Sequence, residues 1–298
     1  KKHNAINIIS GISVCGVALA TLALVCTLSV FNGFQDMVAS FFTAFDPQLK
    51  ITVREGKVFD AQDERIRAVC ALPEIEVFTE TLEENAMVQY KDRQAMVVLK
   101  GVEDNFEELT AIDSILYGAG EFLLHDSIVN YGIMGVELVA TLGTGLQFVD
   151  PLQVYLPKRN AKVNMANPSA SFIQDYLYSP GVVFVVNQQE YDGKYILTSL
   201  DFLRQLLDYT TEVSAMELKL KSDANVSSVQ SNIEKILGND FVVQNRYQQQ
   251  ADVFRIMEIE KLISYLFLTF ILMIACFNVI GSLSMLILDK KDDVVTLR

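Results

Sequence analysis

The sequence predicts a membrane protein in which two transmembrane α-helices flank an α+β domain outside the membrane. Three observations carry that fold class. From Leu262 to Leu288 no residue is charged, and no Pro or Gly occurs from Ala251 to Ile280, so nothing halts a helix there. That run exceeds the ~20 residues needed to cross a bilayer. Between His3 and Asp36 there is again no charge, and Ile6 to Phe31 is rich in Ile, Val, Leu and Ala. The stretch between these two segments alternates strand-like and helix-like apolar periodicities, as a folded mixed domain should.

Lys1 and Lys2 precede the first apolar segment, as in a secretory signal. A signal's apolar region is only ~7–15 residues, whereas this one runs on into an amphipathic stretch, so it reads as an anchor. Basic residues flank the spans at Lys1, Lys2, Lys290, Lys291 and Arg298, which places both ends in the cytoplasm and the middle outside. The middle holds 19 of the 24 basic and 34 of the 37 acidic residues. So acidic a domain has the wrong sign for nucleic acid. Three of the four cysteines, Cys15, Cys26 and Cys276, lie in the spans, leaving Cys70 outside with no internal disulfide partner.

After Asn32-Gly33, residues Phe34, Met37, Val38, Phe41, Phe42 and Phe45 fall at helical spacing on one face, and Asp46-Pro47 ends the pattern. This stalk either packs on a second stalk around Phe254 and Met257 or offers its aromatic face to lipid or an acyl chain. Leu49 to Val53 has strand character. Asp60 to Cys70 reads as a helix capped by Asp60, and Ala86–Tyr90 with Gln94–Val102 as a hairpin. Gly132 to Leu142 reads as a helix stopped by Gly143, and Leu152–Leu156 and Val182–Val186 as strands. Asp192-Gly193 reads as a tight turn and Ser199 as a helix cap. Met216, Leu218 and Leu220 alternate with Glu217 and Lys219, predicting a half-buried strand. Asn225 then caps a helix that Gly238 stops, and Phe241 to Val243 is the last strand. Two β-α-β units some hundred residues apart predict one subdomain interrupted by another. Pro157 to Pro180 reads as an irregular loop whose Lys158, Arg159 and Lys162, beside Pro157 and Pro168, suit an acidic partner.

No catalytic constellation is present. His3 and His125 lie far apart and outside any H-E-x-x-H spacing, and no G-x-x-x-x-G-K-[ST] loop exists to cradle ATP. No charge lies within either span to relay ions or protons. The chain is expected not to be an enzyme and to bind no cofactor or metal, so any work it does is powered from elsewhere.

Three segments resemble one family. Leu28-Ser29-Val30-Phe31-Asn32-Gly33-Phe34-Gln35 is similar to the exit of the first helix in lipoprotein-releasing ABC transporter permeases, within the wider FtsX-like permeases. Gly132 to Gly143 followed by Leu152 to Pro157 resembles their outer-domain signature. Phe254 to Lys261 leading into the membrane, then Lys290 to Arg298, resembles their second helix and cytoplasmic coupling tip.

The resemblance implies four transmembrane helices, of which this chain holds two, the chain being a fragment. It also implies a split β-α-β (porter-like) subdomain with an inserted (sabre-like) one. Its boundaries are 1–33 for the first transmembrane helix and 34–47 for its stalk. The split subdomain takes 48–104 and 212–246, and the insertion 105–211. The second stalk is 247–261, the second transmembrane helix 262–288, and the start of the coupling region 289–298.

The function implied is ATP-driven mechanotransmission in the bacterial inner membrane, with the central domain periplasmic. Lipoproteins would leave the outer leaflet for a periplasmic carrier. The implied partners are a cytoplasmic ABC ATPase holding ATP and Mg, a second permease subunit, the carrier and the lipoprotein substrates. Lipid-facing residues would be Phe34, Met37, Phe41, Phe42, Phe254 and Met257. ATPase-coupling residues would be Asp292, Asp293, Val295, Leu297 and Arg298. The carrier loop would hold Pro157, Lys158, Arg159, Lys162 and Pro168. Three alternatives stand beside this: a regulatory permease that activates a cell-wall hydrolase, a macrolide-exporter-type efflux subunit, and a two-span sensor or scaffold. The long outer region favours lipoprotein release over the first, and no ATPase precedes the first helix as the second would require.

Overall fold

The computed structural model describes residues 2–39, 45–158 and 171–296. These fall into two compact units, a pair of long helices and the domain between them. In the helix pair, α1 (Lys2–Ala39) runs through Asn32-Gly33 without a break, so no separate stalk helix begins at Phe34. Within α1 the apolar stretch is Val14–Val30. Its partner runs Ala251–Thr296 in one helix, 46 residues long. By length and composition, Ile259–Met285 of this helix is the one described stretch long and apolar enough to cross a membrane. Leu19 and Leu22 on the first helix and Phe267 and Phe277 on the second are exposed, an arrangement that suits lipid and not water. The helices contact one another, and Val17, Ala20 and Leu24 line an apolar groove between them with Ile271, Ala275 and Val279. The Thr21 and Thr27 hydroxyls donate to the carbonyls of Val17 and Ala23, four residues back, which satisfies them without water.

The domain between them opens with β1 (Leu49–Val53), β2 (Phe59–Asp60) and α2 (Glu64–Cys70). Asp63, not Asp60, caps α2: its carboxylate accepts the Arg65 N–H at 2.8 Å, while Asp60 sits in β2. Next come β3 (Ile75–Tyr90) and β4 (Arg93–Val102), joined through Lys91 at φ 53° in a two-residue turn. Then follow α3 (Phe106–Leu109), β5 (Leu116–Gly118), β6 (Ile133–Met134) and α4 (Val136–Leu142). The stretch read as one helix from Gly132 is thus a short strand and then a helix. Gly135 stands between the two in extended conformation, and its lack of a side chain lets the Asp192 backbone pass close by, since a Cβ there would lie 2.4 Å from the Asp192 carbonyl oxygen. Gly143 ends α4 in the left-handed conformation, φ 67°.

The chain continues through β7 (Leu152–Pro157), β8 (Phe172–Leu177) and β9 (Val182–Phe184), then α5 (Gln189–Asp192), β10 (Tyr195–Ser199) and α6 (Leu200–Leu207). Asp192-Gly193 therefore closes a short helix and is not a hairpin turn. Ser199 caps α6 by accepting the Phe202 N–H. The last elements are β11 (Glu212–Val213), β12 (Ala215–Leu220), α7 (Val226–Leu237), β13 (Phe241–Asn245) and α8 (Arg246–Gln249), and α9 is the long helix Ala251–Thr296.

One mixed sheet runs β13-β1-β12-β3-β4-β10-β6. The two β-α-β units interleave within it, since β1 lies between β13 and β12, antiparallel to both. Helices α2 and α7 pack together, with Ile66, Val69, Ile233 and Leu237 buried in the core that Leu49, Ile51, Met216 and Leu218 share. The 16-residue β3 binds the sheet's parts together. One of its edges pairs with β12 near its start and with β7 near its end, and the other pairs with β4. Strands of the interrupting segment, β6, β7, β8 and β10, thus join the same sheet as the split units. Their core packs Leu82, Val88 and Leu99 against Leu138 on α4 and Leu203 and Leu206 on α6.

Candidate coupling site

The chain passes into the domain at Phe45-Asp46-Pro47 and out of it at Arg246–Gln249, and these two points are bonded. Arg246 Nε donates to the Asp46 carbonyl at 3.0 Å, and Gln249 Nε2 to the Pro47 carbonyl at 3.1 Å. Next to them, Leu49 on β1 pairs with Asn245 on β13. A network of side-chain amides stiffens the way out. Gln230 on α7 donates to Gln248 at 2.8 Å and to the Val243 carbonyl at 2.9 Å, and Asn245 donates back to Gln230 at 3.1 Å.

On the sheet face away from α2 and α7 sits a buried ionic cluster. Lys100 on β4 and Glu217 on β12 are 2 % and 0 % exposed, and the Lys100 ammonium donates to Glu217 Oε1 at 2.6 Å. It also lies 3.8 Å from Glu83 on β3, which Lys50 on β1 contacts at 3.3 Å. The Phe45 and Phe106 rings cover the Lys100 ammonium at 5.7 and 5.4 Å. Tyr195 donates to Glu83, and Tyr191 donates to Asp46 at 3.1 Å. Burial alone would raise the Glu83 pKa, but the Lys50 and Lys100 ammonium groups hold it below the usual carboxylate range. Burial would likewise depress Lys50, but Glu83, Glu217 and Asp46 lift it above the usual lysine value. Burial pushes both tyrosines up, helped by Glu83 beside Tyr195 and Asp46 beside Tyr191.

This arrangement revises two expectations. Glu217 was expected on the wet side of a half-buried strand, yet it is fully buried, because α3 and the Phe45 ring cover the second face of the sheet. Phe45 closes the amphipathic stalk pattern, yet it is a core residue, with its ring centroid 4.7 Å from Phe184 and 5.1 Å from Tyr191. One sequence signal does mark the cluster: Lys100 is the lone charge inside the apolar run Ala95 to Val102.

Of the other predicted residues, Phe34 and Met37 lie in α1, and Phe254 and Met257 in α9; Phe41 and Phe42 lie outside the described residues. Asp292, Asp293 and Val295 belong to the last turns of α9, while Leu297 and Arg298 lie outside the described residues. Pro157 ends β7 and Lys158 donates its N–H to the Ser171 carbonyl; Arg159, Lys162 and Pro168 are outside the described residues. The segment read as irregular from Pro157 to Pro180 contains the strand β8, paired with β7 from Leu152↔Leu177 to Pro157↔Phe172. Asp175 interrupts the apolar positions Ile173 and Leu177, which hid the alternation.

No family model matches the chain. Curated proteins do. A lipoprotein-releasing system transmembrane protein LolC from Buchnera aphidicola is 24% identical over 294 residues, covering 95% of this chain and 67% of that protein. LolC from Neisseria meningitidis is 24% identical over 308 aligned positions, covering 100% of this chain and 70% of its own length. This chain is a relative of the lipoprotein-releasing permeases. LolE from Haemophilus influenzae is similar over the whole chain too, at 22% identity. Among solved structures, the periplasmic region of MacB from Actinobacillus actinomycetemcomitans aligns with a TM-score of 0.44 at 10% identity, over 69% of this chain and 91% of that one. The extracellular domain of YknZ scores the same over 66% of this chain. Those scores are too low to equate the folds; the relationship to lipoprotein-releasing permeases rests on the sequence alignments.

Proposed function

We propose that this chain is a permease subunit of an ATP-driven transporter that extracts lipoproteins from the outer leaflet of the bacterial inner membrane. The observation that carries this reading is end-to-end similarity to LolC proteins, through both helices as well as the domain between. A separate ABC ATPase, holding ATP and Mg, engages the tip around Asp292, Asp293, Val295, Leu297 and Arg298, and a second permease subunit completes the assembly. Both ends of the chain face the cytoplasm and the domain between them is periplasmic.

The mechanism is mechanical. Helix α9, at ~1.5 Å per residue, is roughly twice as long as the ~30 Å hydrocarbon core, so it reaches beyond the core. Motion imposed at its charged tip travels along a rod without Pro, and Arg246 and Gln249 pass it to Asp46 and Pro47. The faces carrying Phe34, Met37, Phe41, Phe42, Phe254 and Met257 shelter acyl chains. Each buried CH₂ is worth ~0.8 kcal/mol, so removing several chains from a bilayer needs ATP. The segment holding Pro157, Lys158, Arg159, Lys162 and Pro168 meets the periplasmic carrier.

Reconstitution tests the reading. The full-length permease, its second subunit and the ATPase, placed in vesicles with a labelled lipoprotein and a soluble carrier, should transfer the lipoprotein to the carrier only with ATP. Hydrolysis without transfer in that system would refute it.

A further inference from the structure

We infer that Lys50, Glu83, Lys100 and Glu217 form a partner-exchange latch, with two ways of pairing the same four charges, which reads the position of the strand leading in from the membrane. Pairing across the strands sets up the choice. Lys50 lies directly opposite Glu217 across β1 and β12, and Glu83 directly opposite Lys100 across β3 and β4. The close contacts are instead crossed: Lys50 with Glu83 at 3.3 Å and Lys100 with Glu217 at 2.6 Å. Side chains directly opposite in a sheet lie within easy reach, so the direct arrangement is open to the same residues. It is already half made, since Lys100 stands 3.8 Å from Glu83.

The cluster also holds an acceptor for the second arrangement. Glu217 Oε2 is buried and has no hydrogen-bond partner among the described residues, while Oε1 takes Lys100 and a weak contact from the Thr81 hydroxyl at 3.5 Å. A lysine moving from Glu83 to Glu217 would find that oxygen waiting. The exchange creates no new charge and strands no ion in the core, which is what allows a buried cluster to have two stable forms.

Lys50 is the member able to move. It follows Asp46 by four residues, on the strand whose approach is tied to Arg246. All four residues sit on strands held between two neighbours, so what moves is the side chain, and that of Lys50 is 23 % exposed where that of Lys100 is 3 %. The remaining groups facing the cluster, Asp46, Tyr191 and Tyr195, lie at its Lys50 and Glu83 end. A small displacement of the entering segment, taken up by rotation of the long Lys50 side chain, carries its ammonium from Glu83 toward Glu217, already opposite it in register, and frees Glu83 for Lys100.

This rests on the proposed function, so the test keeps the two apart. In the reconstituted full-length transporter, K50M/E83M leaves only the Lys100–Glu217 pair, and K50M/E217M leaves only the Lys100–Glu83 pair. Both variants keep the charges balanced. Each is expected to melt near the wild type and hydrolyse ATP, with loss of lipoprotein released per ATP. Wild-type release by both variants overturns the latch and leaves the permease reading intact. A second arm needs no variant: structures of the intact assembly without nucleotide and trapped with ATP should show Lys50 on Glu83 in one and on Glu217 in the other. Unchanged partners in both states overturn the latch. Should the wild type hydrolyse ATP without release, the permease reading fails, and the structural arm still decides the exchange.

Discussion

Arg246 Nε reaches the Asp46 carbonyl across 3.0 Å, joining positions 200 residues apart in the chain. The domain therefore closes on itself where the chain enters and leaves. A force applied at either point is shared with the other before it reaches the sheet.

Removing that bond should loosen the domain. R246M deletes a charged donor to a half-buried carbonyl and is expected to cost about 1–2 kcal/mol, by the usual worth of such bonds. Urea unfolding followed by the domain's own tyrosine fluorescence measures it. A variant as stable as the wild type would show that β1–β13 pairing and the Gln249–Pro47 bond suffice to hold the two points together.

The buried pair gives a sharper test. K100M leaves the Glu217 carboxylate in the core with no ammonium beside it, a loss of about 3–5 kcal/mol for a broken buried pair. K100M/E217M removes both charges and should recover much of that loss. Denaturation midpoints for the two singles and the double close the cycle; strict additivity would mean that the 2.6 Å contact carries no coupling.

Acid and base should act on opposite partners. Glu83 is held below its ordinary value, so its contribution is complete above about pH 4.3 and is lost as pH falls through the lowered folded value. Lys50 is held above its ordinary value, so its contribution is complete below about pH 10.4 and is lost as pH rises through the raised one. Melting temperature against pH should show a plateau between these limits. E83Q should flatten the acid limb relative to the wild type, and an unchanged acid limb would exclude Glu83 as its source.

Under the proposed function, M37D or F41D places a charge on the face meant for acyl chains. Lipoprotein release should fall to background while the complex still assembles and hydrolyses ATP, both measured on the same preparation. Release at the wild-type level would move the acyl-binding surface elsewhere.

Local chemistry made much of the fold legible. Ser199 and Asn225 mark the starts of α6 and α7, Gly143 and Gly238 the ends of α4 and α7, and the hairpin at Lys91 falls where the flanking patterns place it. Each depends on residues within a few positions of one another. The α2 cap was misplaced by three residues because both Asp60 and Asp63 can accept a backbone N–H, and only the pairing of Asp60 with Glu212 takes the first out of the contest.

The sequence alone determined the long apolar helix, the caps and stops of α4, α6 and α7 and the similarity to lipoprotein-releasing permeases, since composition, capping chemistry and alignment are properties of the chain read in line. Only the tertiary structure decided that Phe45, Lys100 and Glu217 are interior. Lys100 and Glu217 are 117 residues apart. Whether a polar residue on a strand faces water depends on what covers that face, and here the cover comes from segments distant in the chain.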